Sequence, residues 1–184
     1  GQRPDLAVHG DGDVQRRVTG KIMSLTRNQL ATLKAAVLAD ATAAGYLTAG
    51  DMYSLAEYLN TPTDQDAWSP AVLSTAMVEA LRIVNYDTLP AGKRDAFRLL
   101  LEFGPVDATR QAVRKGIEEI FAVAGTYTDA VQAGRMLQAC TEKATWWEVA
   151  LGSTTPAAVA GVTAIRRNHV GRFSVDDAAA LQGA

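Results

Sequence analysis

Apolar positions along this chain recur mostly at intervals of three and four. The clearest stripes lie between Asp107 and Leu151, where Val113, Ile117, Ile120 and Phe121 fall at i, i+4, i+7 and i+8, and Leu137, Cys140, Ala144, Trp147 and Leu151 continue a three/four spacing. The spacing predicts two consecutive helices, each with one buried face, packed as an antiparallel pair. Asp107 is the expected N-cap of the first, Ala124-Gly125-Thr126 its end, and Thr128 the cap of the second, longer helix.

Upstream, Leu30, Leu33 and Val37 mark a helix that the stretch from Asp40 to Gly45 should close. Met52, Leu55, Ala56 and Leu59 mark a short amphipathic helix stopped by Asn60-Thr61-Pro62, and TPTDQDAW then reads as a linker. Ser69-Pro70 sets a capping residue before proline at a first helical position, opening a helix whose face is Leu73, Met77, Ala80, Leu81 and Val84. Asn85 to Pro90 reads as a turn, and residues 91–103 as a helix with Phe97, Leu100 and Leu101 inward, ended by Gly104-Pro105. Beyond Leu151 the pattern changes: glycines and Pro156 are interleaved with Val159, Val162, Thr163, Ile165 and Val170, which predicts an extended segment over 152–173 with a short hairpin about Asn168. Ser174, with Asp177 three residues on, opens a short last helix. Residues 1–22 carry four glycines and no apolar period, so they read as a flexible N-terminal arm. The expected fold is all-α, a bundle of about six to seven helices in a single domain over 23–184 that includes the extended segment.

Composition narrows the functional classes. A chain of 184 residues that is 48% hydrophobic can bury roughly two thirds of its unfolded surface without staples. Its single cysteine, Cys140, excludes an internal disulfide framework and sits in the apolar stripe as a small buried hydrophobe. A net charge of −2 sets up no global field that would select nucleic acid or an anionic membrane. With no long apolar run and no apolar stretch in the first twenty residues, neither a membrane span nor a signal peptide is expected.

Catalytic chemistry finds little support in the sequence. His9, Asp11 and Asp13 superficially suggest metal ligands, but Gln15-Arg16-Arg17 stand where a calcium loop needs further oxygens. There is no phosphate-binding glycine loop, nucleophile elbow or HExxH, and the adjacent acids Glu118-Glu119 and Asp176-Asp177 point about 100° apart on a helix. The expectation is therefore no enzyme, no metal and no cofactor. Two features stand out from a plain helical core. Arg166, Arg167, His169 and Arg172 form a basic run with no acid between Glu148 and Asp176, suited to a phosphate backbone or an acidic neighbouring subunit. Trp146 and Trp147, adjacent on a helix, cannot share one core face, which makes Trp146 a candidate interface anchor.

The order of segments is distinctive. LxxLKAAVLAD, YLN-T-P, a tryptophan-bearing linker, LPAGKRDAFRLLLEFGPVDATRQAVRKGIEEIFAVAGT, LQACTEKATWWEVALGSTTPA and a closing FSVDDAAAL together resemble a family of small helical virion proteins from the head-morphogenesis region of tailed bacteriophages and prophages. The resemblance spans residues 24–182 and implies a head–tail connector or adaptor: a homo-oligomeric ring in the virion, assembled in the bacterial cytoplasm between portal and tail-side proteins, with DNA close by in a channel. It implies no membrane and no small-molecule substrate. The competing expectation is a small helical DNA-binding or regulatory protein that works through residues 166–172.

Overall fold

The computed structural model describes residues 25–121, 130–152, 158–167 and 171–184. The arm expected over 1–22, the turn at 124–126, the Thr128 cap and the hairpin centre at Asn168 lie outside these. The described chain is mostly helical, with ten helices and one two-stranded antiparallel sheet.

The first three helices are short and separated by side-chain caps. α1 (Arg27–Ala39) opens on a Thr26/Gln29 capping box, in which side chain and backbone satisfy each other reciprocally. Asp40 was expected to help close this helix, but its carboxylate instead accepts from the Thr42 and Ala43 N–H groups and starts α2 (Ala41–Ala49), which runs straight through Gly45. Gly50, at φ 72°, ends α2 in the left-handed conformation that favours glycine. Asp51 caps α3 (Met52–Leu59), where the expected stripe of Leu55, Ala56 and Leu59 is buried.

The supposed linker is strand β1 (Pro62–Trp68), paired antiparallel with β2 (Thr141–Thr145) in the register Asp66↔Lys143, Ala67↔Glu142 and Trp68↔Thr141. This pairing corrects the sequence reading of one long helix through Leu151. The helix breaks into α8 (Ala130–Gln138) and α9 (Trp146–Leu151), with β2 between them. Leu137, Cys140, Ala144 and Trp147 are all buried as expected. They reach the interior from a helix, a turn, a strand and a second helix, so a three/four spacing can be satisfied without a continuous helix.

Ser69 does not start a helix. Its N–H donates to the Cys140 carbonyl and its carbonyl accepts from Ala108 N–H, both at 2.9 Å, and these bonds extend the strand region by one residue. α4 (Ser74–Ala80) and α5 (Ile83–Asp87) follow, so the turn expected at Asn85 is partly helical. Their junction is held by buried Gln132 of α8, whose amide oxygen accepts from Asn85 Nδ2 at 3.0 Å while its Nε2 donates to the Ala80 carbonyl at 3.2 Å. α6 (Ala91–Glu102) buries Phe97, and α7 (Gln111–Phe121) buries Ile117, Ile120 and Phe121. Asp107 is not the N-cap of α7. It lies four residues ahead, accepting from Thr109 and pairing with Arg110 at 3.0 Å.

Among the described residues two large apolar clusters and a small one of Ala67, Ala144 and Ile165 result. Trp68, Met77, Phe97, Ile117, Phe121 and Met136 centre the one built from α4–α8. Leu33, Leu55, Leu59, Trp147, Phe173 and Leu181 centre the other, where α10 (Val175–Gly183) packs among α1–α3 and α9. The sheet lies beside Ile165, which bonds β1 through Ile165 N to Asp66 O at 2.8 Å and Trp68 N to Ile165 O at 3.2 Å. The expected capping box at Ser174/Asp177 is present at the start of α10.

Candidate functional site

The segment after Leu151 was expected to be extended, with a short hairpin about Asn168. Where it is described, it folds back on the molecule instead. Val162 and Ile165 are buried, Val159 and Val162 bridge each other across the Ala160-Gly161 turn, and Ile165 docks on β1. A short strap, 158–167, therefore carries Arg166 and Arg167 to the start of α7.

The basic run is consequently split. Arg167 turns inward: its guanidinium pairs with Glu142 of β2 and approaches Glu148 of α9, Nε to Oε1 at 3.2 Å. Arg172, on the far side of the described strap, pairs with Glu57 of α3. His169 lies outside the described residues. Arg166 remains exposed and has no acidic partner among them. Trp146 is half-buried against Tyr58, with ring centroids 6.1 Å apart, while Trp147 is fully buried against Phe173. The two tryptophans diverge as helix geometry requires, and Trp146 uses its flank for intramolecular packing.

Arg166 and Arg167 share a cavity of about 240 Å³ with Thr109, Arg110, Gln111 and Arg114. Arg114 was overlooked in the sequence because an arginine one position after Val113 reads as the polar side of an amphipathic helix. It is only 8% exposed. Its Nη1 donates to the carbonyls of Ala108 and Thr109 at 2.7 and 2.8 Å, and its guanidinium carbon lies 4.9 Å from the centroid of the Trp68 ring. That stacking places a cation on the negative face of an indole, a favourable but weak contact. The buried Nε has no hydrogen-bond partner. Burial first, and the neighbouring Arg166 charge second, pull the Arg114 pKa below the usual arginine range. The only sequence signal for this residue was its position in the first turn of α7, directly after Val113 and three residues before Ile117.

Electrostatically the cavity is one-sided. Arg110 is paired to Asp107 and Arg167 to Glu142 and Glu148, but among the described residues no acid lines the cavity and neither Arg114 nor Arg166 has an acidic partner. A second, open depression of about 530 Å³ lies beside Glu57, Asn60, Thr145 and Arg172, where the Glu57–Arg172 pair already balances its charge.

Among the described residues no group of histidine, cysteine, aspartate and glutamate could hold a metal ion, and no helix is long and apolar enough to cross a membrane. Cys140 is buried in the α4–α8 cluster, which pushes its thiol pKa up to about 12 and leaves it without thiolate character. Comparison with protein-family models, with curated proteins and with solved structures finds no match to this chain.

Proposed function

We propose that the chain is an assembly subunit, a head–tail connector or adaptor of a tailed bacteriophage that works as a homo-oligomeric ring between portal and tail. The resemblance of residues 24–182 suggests the role, and one structural observation carries it. Several large apolar side chains are left wet along α4, α5 and the end of α6, most of all Ile83 at 74% and Phe103 at 85% exposure, with Val84 next to Ile83 and Leu73 at the start of α4 exposed as well. Val72 pairs with Val106 and Ser74 Oγ donates to Leu101 O at 3.0 Å, which brings the backbone at Leu73 alongside that at Phe103. Solvated apolar side chains concentrated on one stretch suit a surface that is covered on assembly. No catalytic step enters this reading.

The test is the mass of the purified protein by light scattering, alone and with a portal protein. An assembly subunit gives a multiple of the chain mass in at least one of these conditions, and Phe103→Asp with Ile83→Asp lowers it while the helical circular dichroism stays unchanged. A monomer under both conditions overturns the reading.

The competing reading, a helical DNA-binding or regulatory protein acting through residues 166–172, is weakened as first framed. Arg167 and Arg172 are engaged by carboxylates of the same chain. Arg166 retains its charge for a partner, and it faces the cavity at α7.

A further inference from the structure

We infer that the cavity between the first turn of α7 and the 158–167 strap is a binding site for a phosphate group, held by Arg114 and Arg166 with Arg110 at the rim. The inference does not depend on the assembly reading.

Three observations converge on it. Arg114 is more than nine-tenths buried, lines the cavity and leaves its Nε without a partner. Burying a charged group that lacks full pairing is costly, and chains tolerate it where a counter-charge is supplied. The carbonyls of Ala108 and Thr109 supply dipoles, but no negative charge. Next, Arg166 adds a second cation to the same cavity, close enough to depress the Arg114 pKa. Two like charges held together without an acid repel each other, so an anion between them removes two unfavourable terms at once. Last, Gln111 opens α7 at the cavity, and the leading N–H groups of a helix have no partner within it, so the helix end adds dipole and donors of the same sign.

The donor geometry favours a tetrahedral oxyanion. The arginines that line the cavity come from different elements, Arg110 and Arg114 from the α7 start and Arg166 from the strap. A planar carboxylate is matched by a single guanidinium fork, whereas a phosphate presents oxygens on all sides. At about 240 Å³ the cavity accepts such a group with bridging water. The phosphate has two sources, a free phosphate compound or the backbone of a nucleic acid, and both use the same contacts.

The experiment uses the full chain. Inorganic phosphate is titrated at constant ionic strength against chloride, read by calorimetry and by melting temperature, and a duplex DNA of about 20 base pairs is titrated by fluorescence anisotropy between about 50 and 200 mM salt. The expected result is a saturable phosphate response that Arg166→Glu weakens at least about tenfold, the loss of one charge-assisted contact, while Arg172→Glu, outside the cavity, retains it. Arg166 is exposed, so Arg166→Glu should melt like the parent in chloride; should it not, Gln111→Glu at the cavity rim gives the same reading. Phosphate saturation without DNA binding assigns a free phosphate compound. DNA binding that falls in Arg166→Glu, with the salt slope smaller by about one, assigns a backbone phosphate. A phosphate response unchanged in both variants overturns the site, as does the absence of any saturable phosphate response together with DNA binding indifferent to Arg166.

Discussion

Arg167 and Glu148 meet almost out of reach of water, with side chains 8% and 4% exposed and Nε 3.2 Å from Oε1. The approach is close enough for an ion pair, yet Arg167 Nε makes no hydrogen bond, so the contact is held by charge more than by alignment. Glu148 carries a second duty: its Oε2 accepts from Thr145 N and Oγ1 at 2.8 and 2.9 Å and caps α9. One carboxylate thus joins the β2–α9 corner to the strap. Arg167→Met strands that carboxylate and should cost about 3–5 kcal/mol. Arg166→Glu, one residue away but exposed, should shift the denaturation midpoint little. Equal midpoints for the two variants would show that the pair does not hold the strap.

Acid should weaken the Asp40 cap of α2 and the contacts of Asp66 and Asp107. Asp40 is held below the usual carboxylate range first by the Ala43 N–H and further by Tyr58 and Thr42, Asp66 by Lys143 and Gln138, and Asp107 chiefly by Thr109. A carboxyl depressed in the folded state adds stability above its unfolded value, about 3.9 for aspartate, and loses it as pH falls through the folded value. Stability is therefore expected to be flat above about pH 5 and to decline below about pH 4. Asp40→Ala should cost about 0.5–2 kcal/mol at neutral pH, and the gap to the parent should narrow at pH 3. A gap as wide at pH 3 as at pH 7, in urea melts, counts against the cap.

Two helical glycines should respond oppositely to alanine. At Gly116 in α7 nothing lies within 4 Å of an added Cβ, so Gly116→Ala should stabilise by up to about 1 kcal/mol through helix propensity. At Gly134 in α8 the added carbon would stand 2.9 Å from the Ala160 carbonyl oxygen. Gly134→Ala should thus lower the melting temperature despite the same propensity gain. A rise in both would show that the 160–161 turn yields freely.

Ile117 is fully buried in the α4–α8 cluster. Ile117→Ala should cost about 2–5 kcal/mol, whereas Gln111→Ala on the exposed end of the same helix should be nearly silent in phosphate-free buffer. Guanidinium midpoints that coincide would place the wrong face of α7 inward.

The apolar spacing located the interior better than it located the elements. Leu33, Leu55, Phe97, Ile117, Leu137 and Trp147 are buried where the spacing put them, because burial needs only a residue of the right kind at the right place. The breaks depended on partners far along the chain. PTDQDAW and TEKAT become strands only because each supplies the other's hydrogen bonds, and their polar composition carries no local strand signal. Caps followed local chemistry where one side chain decides the matter, as at Ser174, and failed where two helices abut, as at Asp40. At the candidate site, Arg166 was visible as part of a charge run, but its separation from Arg167 and Arg172 and its meeting with Arg114 are tertiary facts.

The junction of Asn60 with Phe173 bears on how the chain is made. The Asn60 side chain accepts from Phe173 N and donates to Phe173 O, both at 2.8 Å, across 113 residues of sequence. Leu181 of α10 then fills the cluster of α1–α3. Helices α1–α3 leave a ribosome well ahead of α10 and accordingly wait for residues far downstream before their shared interior can close. Pairings of such long sequence separation are slow, since the loop must be ordered before the contact rewards it. The α4–α8 cluster also joins distant residues, but its span from Trp68 to Ala164 is shorter, so it is positioned to close earlier during synthesis.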